Sequence, residues 1–442
     1  MAQTQQLGAP ELSPREQEIA DAIAERRDDL VAVTRALVGF DTQTHPLEAP
    51  RQEADLQAYV AERLRDAGLT VDVWEPAAGS LPADRLRLGP DFHFTGRPQL
   101  LARLAGAGAG RSLLFNGHID TVTVEPRERW TADPLGGEVR DGRLYGRGAC
   151  DMKGGVAAMV FAAEMLHEVG IDLHGDLLVN TVTDEESTAA GTLASALHGA
   201  SADGCIVTEP TSLQAWLGTR GSLMPTVTVE GRSGHAGLRQ PHYTAGGAVN
   251  AIEKMHVVLD AIEPLRSDWA KRHVHRHLDA PDVVAVSISA GEWIVTQPGS
   301  CTLRCHVQYL PGQADPDGWG SLVEHEFEDW LSAAAQADPW LALHPPRVEW
   351  TTDVPPSYVP PANAVVATTL RAATDLGLAG GITPHTTWFD GATLVRHGTP
   401  SIAFGPGDID RAHTVDEFVA VDELVSAAQV LAVTAMRFCG TS

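Results

Sequence analysis

Leu113-Leu114-Phe115-Asn116-Gly117-His118-Ile119-Asp120 is an apolar run that turns polar at a glycine and is followed at once by a histidine and an aspartate. A run too short for a helix and bounded by turn residues predicts a buried strand. Further along, Leu177–Val182 and Cys205-Ile206-Val207 repeat the pattern, and acid follows each: Asp184-Glu185-Glu186 after the first, Glu209 after the second. Between them Asp151 precedes a stretch of small and apolar residues, 154–168, that reads as a helix lying close on the sheet. Strands alternating with helices predict an α/β sheet whose functional groups gather beyond the carboxyl ends of the strands. Toward the N-terminus, Ser13-Pro14 reads as the cap and first turn of a helix reaching Val38. A second helix is predicted over 53–67 and a strand over 70–74.

The pattern changes near Trp216. There the order is strand, helix over 245–265, strands over 283–290 and 301–310, helix over 318–335, and strand over 347–351. Two strand-helix-strand units predict a four-stranded α+β (ferredoxin-like) insert with its helices on one face. Pro355-Pro356 and Pro360-Pro361 mark the return, and helical periodicity resumes over 363–376. The main domain is therefore read as discontinuous, 1–215 and 355–442, with 216–354 inserted as a lid or dimerisation domain. Arg272-His273-Val274-His275-Arg276-His277 is read as a solvated loop in preference to a metal-binding strand.

A chain of 442 residues exceeds one comfortable core, which fits two domains. A net charge of −26 disfavours nucleic acid and anionic membranes as partners, since a polyanion repels both. No apolar run is long enough to span a bilayer, and the first six residues do not read as a secretory leader. Five scattered cysteines argue against a disulfide framework, so a cytoplasmic protein is expected.

His118, Asp120, Asp151, Glu185, Glu186, Glu209 and His413 all stand at turns. Singly, an Asp after a strand is usually a helix cap and a Glu pair a solvated helix start. Together they make a ligand set for two adjacent divalent cations. Imidazole and carboxylate without thiolate suit zinc, with cobalt or manganese as alternatives. A bridging carboxylate satisfies both cations, which can then share a water and lower its pKa toward ~7.

Gly117-His118-Ile119-Asp120-Thr121-Val122 and Leu144-Tyr145-Gly146-Arg147-Gly148-Ala149-Cys150-Asp151-Met152-Lys153-Gly154-Gly155 resemble the signatures of one metallopeptidase and deacylase family. It includes acetylornithine deacetylase, succinyl-diaminopimelate desuccinylase, carboxypeptidase G and aminoacylase. Glu185-Glu186, Glu209-Pro210-Thr211, Gly405-Pro406-Gly407 and Ala412-His413 follow in the family's order. The resemblance implies a zinc-peptidase-like α/β domain. It makes His118 and Glu209 ligands of one metal, Glu186 and His413 of the other, and Asp151 the bridge, followed by a cis peptide to Met152. It further implies that Asp120 orients the His118 ring, that Glu185 is the general base, and that Asp390 is a family Asp with either a functional or a structural role. His235, in Gly231-Arg232-Ser233-Gly234-His235-Ala236-Gly237, resembles a lid histidine that reaches the partner subunit's site in dimers as an oxyanion donor.

The implied activity is removal of an acetyl, formyl or succinyl group from a small N-acylated amine or amino acid. A metallo-carboxypeptidase or dipeptidase is the alternative, and a non-catalytic binding protein a third reading that the intact ligand set disfavours. Many members carry Arg in the strand before Leu-Pro-Gly to hold a substrate carboxylate, whereas this chain has Gln308. A neutral amide cannot make that charged, bidentate contact. Arg304, Arg239 or Arg220 are the candidates to replace it.

Overall fold

A computed structural model of the chain describes residues 12–44, 51–77, 79–82, 88, 92–384 and 388–441. The N-terminal residues read above for a leader lie outside these. The main sheet has six strands in the order Thr70–Trp74, Gln99–Leu104, Leu177–Val182, Leu113–His118, Gly204–Val207 and Ser401–Ala403. The last four run parallel, and the first two join antiparallel. Every residue of Leu113–His118 is buried, which is why this strand reads as a continuous apolar run and not an alternating one. The helix Lys153–Glu168 packs on it and is itself covered by Arg27–Gly39 and Val421–Cys439. Gly155 makes the close approach possible: a Cβ there would sit 1.9 Å from the Thr208 carbonyl oxygen.

The second sheet has the order Asp282–Ala290, Ser300–Tyr309, Gly221–Glu230 and Arg347–Val354, antiparallel throughout. Helices Ala251–Arg272 and Ser321–Ala335 complete the ferredoxin-like succession of strands and helices. It has its own hydrophobic core, whose buried members among the described residues run from Leu223 to Leu341 and include Trp269, Val307, Tyr309 and Phe327, with Val348 and Trp350 packed against it. Where the chain enters and leaves this unit, Gly218–Thr219 pairs antiparallel with Ser357–Tyr358, so the two crossings form one small ribbon. Among the described residues, no helix is long and apolar enough to cross a membrane.

Several expected boundaries need correction. The first helix is two, Pro14–Glu25 and Arg27–Gly39, broken at Arg26. Arg26 leaves helical geometry and directs its guanidinium to Asp29 and to Glu168 of the central helix. The insert's long helix does not start at Ala245. Residues Tyr243–Ala245 form a single tight turn ended by Gly246 at φ 85°, and Asn250 then caps Ala251–Arg272 by accepting from the Ile252 N–H. That helix also runs beyond the expected end at Leu265 to Arg272, with Pro264 inside it, because Leu265 and Trp269 are fully buried in the insert core. The packing outweighs the lost hydrogen bond.

Candidate dinuclear metal site

Five side chains from distant parts of the chain meet at the carboxyl ends of the parallel strands. His118 closes its strand, and its Nε2 lies 3.1 Å from Asp151 Oδ1. The other oxygen of Asp151, Oδ2, is 3.4 Å from His413 Nε2. His413 Nε2 is in turn 3.2 Å from Glu186 Oε1. Glu209 follows the Gly204–Val207 strand, and its buried Oε1 has no hydrogen-bond partner. Two groups result, His118/Asp151/Glu209 and Asp151/Glu186/His413, and within each the ligand atoms lie within 4.8 Å of one another. Asp151 belongs to both. The peptide from Asp151 to Met152 is cis.

The charges explain what such a pocket would hold. Burial pushes the carboxyl pKa values of Glu185, Glu186 and Glu209 upward, and neighbouring carboxylates add to it against the pull of the histidines. Burial also works against ionised Asp151, yet hydrogen bonds from His118 and His413 outweigh it and hold that carboxyl below its usual range. Hydrogen bonds to Asp151 and Glu186 raise His413 to about 10. Three carboxylates with two imidazoles, one oxygen orphaned and Glu185 adding a fourth acid beside them, is a donor set that two divalent cations would balance.

Around this cluster sits a supporting layer. Asp120 was expected to orient His118 through its acid group, but the closer contact is its main-chain carbonyl, 2.9 Å from His118 Nδ1. An Nδ1–H donating there would leave Nε2 free to bind a metal. The Asp120 carboxylate, 3.7 Å from that nitrogen, instead accepts the backbone N–H groups of Glu185 at 3.3 Å and Glu186 at 3.2 Å. Glu185 Oε2 lies 4.0 Å from His118 Nε2 and lines the cleft. Arg97 was not singled out from sequence. Buried, it donates through Nε and Nη2 to Glu53 and through Nη1 to Asp184, and so holds the turn that carries Glu185 and Glu186. Asp390 is fully buried, and burial raises it to about 7 against a smaller downward pull from the Thr192 hydroxyl.

The cleft above the cluster has a volume of about 260 Å³. Its floor is Asp151, Glu185, Glu186, Glu209 and His413, and its roof is one face of the insert sheet, including Ser222, His306 and Gln308. Trp216, Trp388 and Ile409 form the sides. Neither Arg nor Lys is among the residues lining it. Arg220 is buried with its Nη1 donating to the Ala280 carbonyl, and Arg239 and Arg304 are exposed and not among the lining residues, although Arg304 stands on the same strand face as His306 and Gln308.

His235 is not brought to the cluster within this chain. It is exposed in the two-residue strand Gly234–His235, which pairs with Thr296–Gln297, and its Nδ1 accepts the Gly237 N–H. His275 and His277 lie in a loop, as expected, but their rings pack on Tyr358 with centroids 4.4 and 5.9 Å away. His277 Nδ1 is 3.0 Å from the Tyr358 hydroxyl.

A mixed sheet whose parallel strand ends carry two imidazole–carboxylate groups sharing one aspartate, under a ferredoxin-like roof, has the build of a dinuclear metallohydrolase. The family model of Peptidase family M20/M25/M40 matches residues 114–437, and the chain belongs to that family of hydrolases. It is 28% identical over 443 residues to N-formyl-4-amino-5-aminomethyl-2-methylpyrimidine deformylase of Halalkalibacterium halodurans, spanning 96% of this chain and 97% of that one. Identity to the protein of the same name from Bacillus subtilis is 26% over 439 residues, spanning 94% and 96%. The fold is shared with human carnosine dipeptidase 1 at a TM-score of 0.72 and 16% identity, covering 97% of this chain and 99% of that one. It is also shared with a dinuclear metal-binding M20 peptidase from Bacillus subtilis, at a TM-score of 0.60 and 13% identity over 94% and 98% of the two chains.

Proposed function

We propose that this protein is a two-metal amidohydrolase that removes a short acyl group, formyl above all, from a small amine lacking a recognised carboxylate. The observation that carries this is the cleft lining: carboxylates below, neutral polar and aromatic groups above, and no Arg or Lys. A carboxypeptidase or dipeptidase must hold a terminal carboxylate, ordinarily with a cation. The same lack disfavours a succinyl group. Two relatives are named for deformylation of an aminomethylpyrimidine, which supports the formyl reading.

His118 and Glu209 would hold one divalent cation, Glu186 and His413 the other, and Asp151 both; the nitrogen and oxygen donors favour zinc over cobalt or manganese. Such a pair supplies Lewis acidity to the acyl carbonyl and to a water. Glu185, facing the cleft beside this cluster, takes the water's proton and passes it to the leaving nitrogen. Asp120 keeps Glu185 in place through its backbone N–H, and Arg97 anchors the turn beneath.

Residues 216–354 serve as lid, with the paired strands Gly218–Thr219 and Ser357–Tyr358 as its hinge. The edge strand Asp282–Ala290 leaves Val284, Val286 and Ile288 exposed, which supports pairing with a second copy of this chain. In that dimer His235 would serve the neighbouring site as an oxyanion donor. Five free, buried cysteines support a cytoplasmic setting.

The test is turnover by metal-loaded protein of N-formyl, N-acetyl and N-succinyl amines and of dipeptides. N-formyl compounds of carboxylate-free amines should be hydrolysed best. Efficient dipeptide cleavage with a strict need for the free carboxylate would replace this reading with the dipeptidase one.

A further inference from the structure

The backbone that carries Asp151 is held from the far end of the chain. Glu417 stands directly before the strand Phe418–Ala420, which pairs antiparallel with Arg143–Tyr145. The Gly146 N–H donates to the Glu417 carbonyl and extends that pairing, so residues 146–151 pass beside the Glu417 side chain. There Oε1 accepts two successive backbone N–H groups, that of Cys150 at 2.9 Å and that of Asp151 at 3.1 Å. Oε2 accepts from Nη1 of Arg147. Arg147 is fixed in turn: its Nε donates to the Thr123 carbonyl at 3.1 Å, and its guanidinium lies 5.2 Å from the centre of the Trp130 ring. Glu417 and Arg147 are both buried.

A buried ion pair is seldom a net gain in stability, so what it orients is the better guide to its use. Glu417 orients the one residue that belongs to both ligand groups, His118/Asp151/Glu209 and Asp151/Glu186/His413. Asp151 directs its two oxygens to two imidazoles, Oδ1 3.1 Å from His118 Nε2 and Oδ2 3.4 Å from His413 Nε2. Both spacings depend on where the backbone at 151 sits, and a main-chain N–H bonded to a buried carboxylate fixes it there. His413 is four positions before Glu417, and Asp416 between them accepts the Thr131 N–H and hydroxyl. One short segment thus supplies a ligand of one group and the anchor of the shared residue. Glu417 is not among the residues lining the cleft and acts through Asp151, as partners behind metal ligands do.

We infer that Glu417, clamped by Arg147, is a positioning residue for the bridging Asp151, and that it governs both metal positions, including the His118/Glu209 one to which its own segment gives no ligand. This rests on the two-metal reading of the site and adds to it the residue that sets the bridge.

Metal binding by the full-length chain tests this. Zinc titrated against a competing chelator gives two stepwise affinities, and EPR of the protein loaded with Mn(II) reads the coupling between the two ions. Glu417→Asp keeps the charge but shortens the arm by one methylene. Arg147→Gln combined with Glu417→Gln removes both charges but keeps the arm's length and an acceptor, since the two amides can pair. Glu417→Asp should weaken both metals by ~10–100-fold and reduce the manganese coupling, with thermal melting still cooperative. The double variant should bind both metals within about threefold of wild type. His413→Ala is the reference that weakens one metal and spares the other. Should Glu417→Asp not melt cooperatively, Arg147→Lys takes its place: it loosens the clamp from its outer end and should weaken both metals alike. The inference is overturned if the folded Glu417→Asp or Arg147→Lys chain binds both metals as wild type does, or loses only the metal that His413→Ala loses. It is equally overturned if the double variant loses more affinity than Glu417→Asp, which would make charge and not position the cause. Wild type binding fewer than two metals removes the two-metal reading itself, and this inference with it.

Discussion

Nη1 of Arg97 lies 2.8 Å from Oδ1 of Asp184, and both side chains are buried. The contact fixes an unusual turn. Asp184 has φ 75°, a left-handed conformation that costs a non-glycine residue roughly 1–2 kcal/mol. Its carbonyl oxygen accepts the N–H groups of Thr188 and Ala189, and its carboxylate also accepts the Thr188 hydroxyl. The next two residues are Glu185 and Glu186. A buried ion network therefore sets the direction of two groups that it does not touch.

Removing the guanidinium should be costly. Arg97→Met leaves Glu53 and Asp184 buried without their cation, and loss of one member of a buried pair costs about 3–5 kcal/mol. Denaturant melts should show that loss, together with a lower kcat. Arg97→Lys keeps the charge without the fork and should fall between the two. A stable, fully active Arg97→Met would mean that Asp120 and the Thr188 and Ala189 contacts hold the turn without it.

Metal content should separate the acids. Glu185→Gln is expected to keep two metals per chain and lose ~10²–10⁴-fold in turnover, as removal of a general base does. Glu186→Gln should weaken one metal, and Asp151→Asn both, since only Asp151 belongs to both ligand groups. If Glu185→Gln loses a metal and Glu186→Gln keeps both, the two roles are exchanged.

Gln308→Arg would place a cation in a lining that has none. Comparing substrates whose amine carries a free carboxylate with their carboxamides should show a preference for the carboxylate that is absent in wild type, at about ten- to a hundredfold in kcat/KM. A strong carboxylate preference already present in wild type would show that Arg220, Arg239 or Arg304 moves in when the lid closes.

Acid should weaken the attachment of the N-terminal helix. Burial alone would raise the Glu16 pKa, but hydrogen bonds from Arg437 and the Ser13 N–H outweigh it and lower it. A lowered folded pKa gives stability that is present above the unfolded value of ~4.3 and disappears as pH falls through the folded one. Glu16→Gln should thus lower Tm at pH 7, by about 1–2 kcal/mol in stability, with the gap closing below pH ~4. A gap that is constant from pH 7 to pH 3 would assign the loss to packing.

The proposed dimer makes an equally direct prediction. Sedimentation at micromolar concentration should show two copies, and Ile288→Lys, which charges the open edge strand, should give monomers. Turnover should then fall with the dimer fraction, because His235 lies away from the cleft of its own chain. A fully active monomer would remove His235 from the mechanism.

The part of the site that the sequence made legible is the part that strand ends dictate. His118, Glu186 and Glu209 follow short apolar runs directly, so local pattern alone places them on one rim. Asp151 and His413 needed the family motif, since neither follows a strand and His413 sits at φ 60° in a loop. Arg97 was invisible because its partners Glu53 and Asp184 are 44 and 87 positions away and nothing in its own neighbourhood signals burial. The helix boundaries failed for a related reason: tertiary packing at Trp269 carries the helix past Leu265 to Arg272, and a capping Asn250 moves the start. Local propensity is a weak guide once a core has claimed the residue.

His413 stands 227 positions after Glu186, with the whole of the insert translated between them. On a ribosome, His118, Asp151 and Glu209 emerge long before the last of the proposed ligands exists. At roughly 5–20 residues per second the interval is on the order of 10–45 s. The insert, with a hydrophobic core of its own, can collapse within that time, while the two ligand groups come to completion in a fixed order. Biosynthesis thus gives the two halves of this centre different ages.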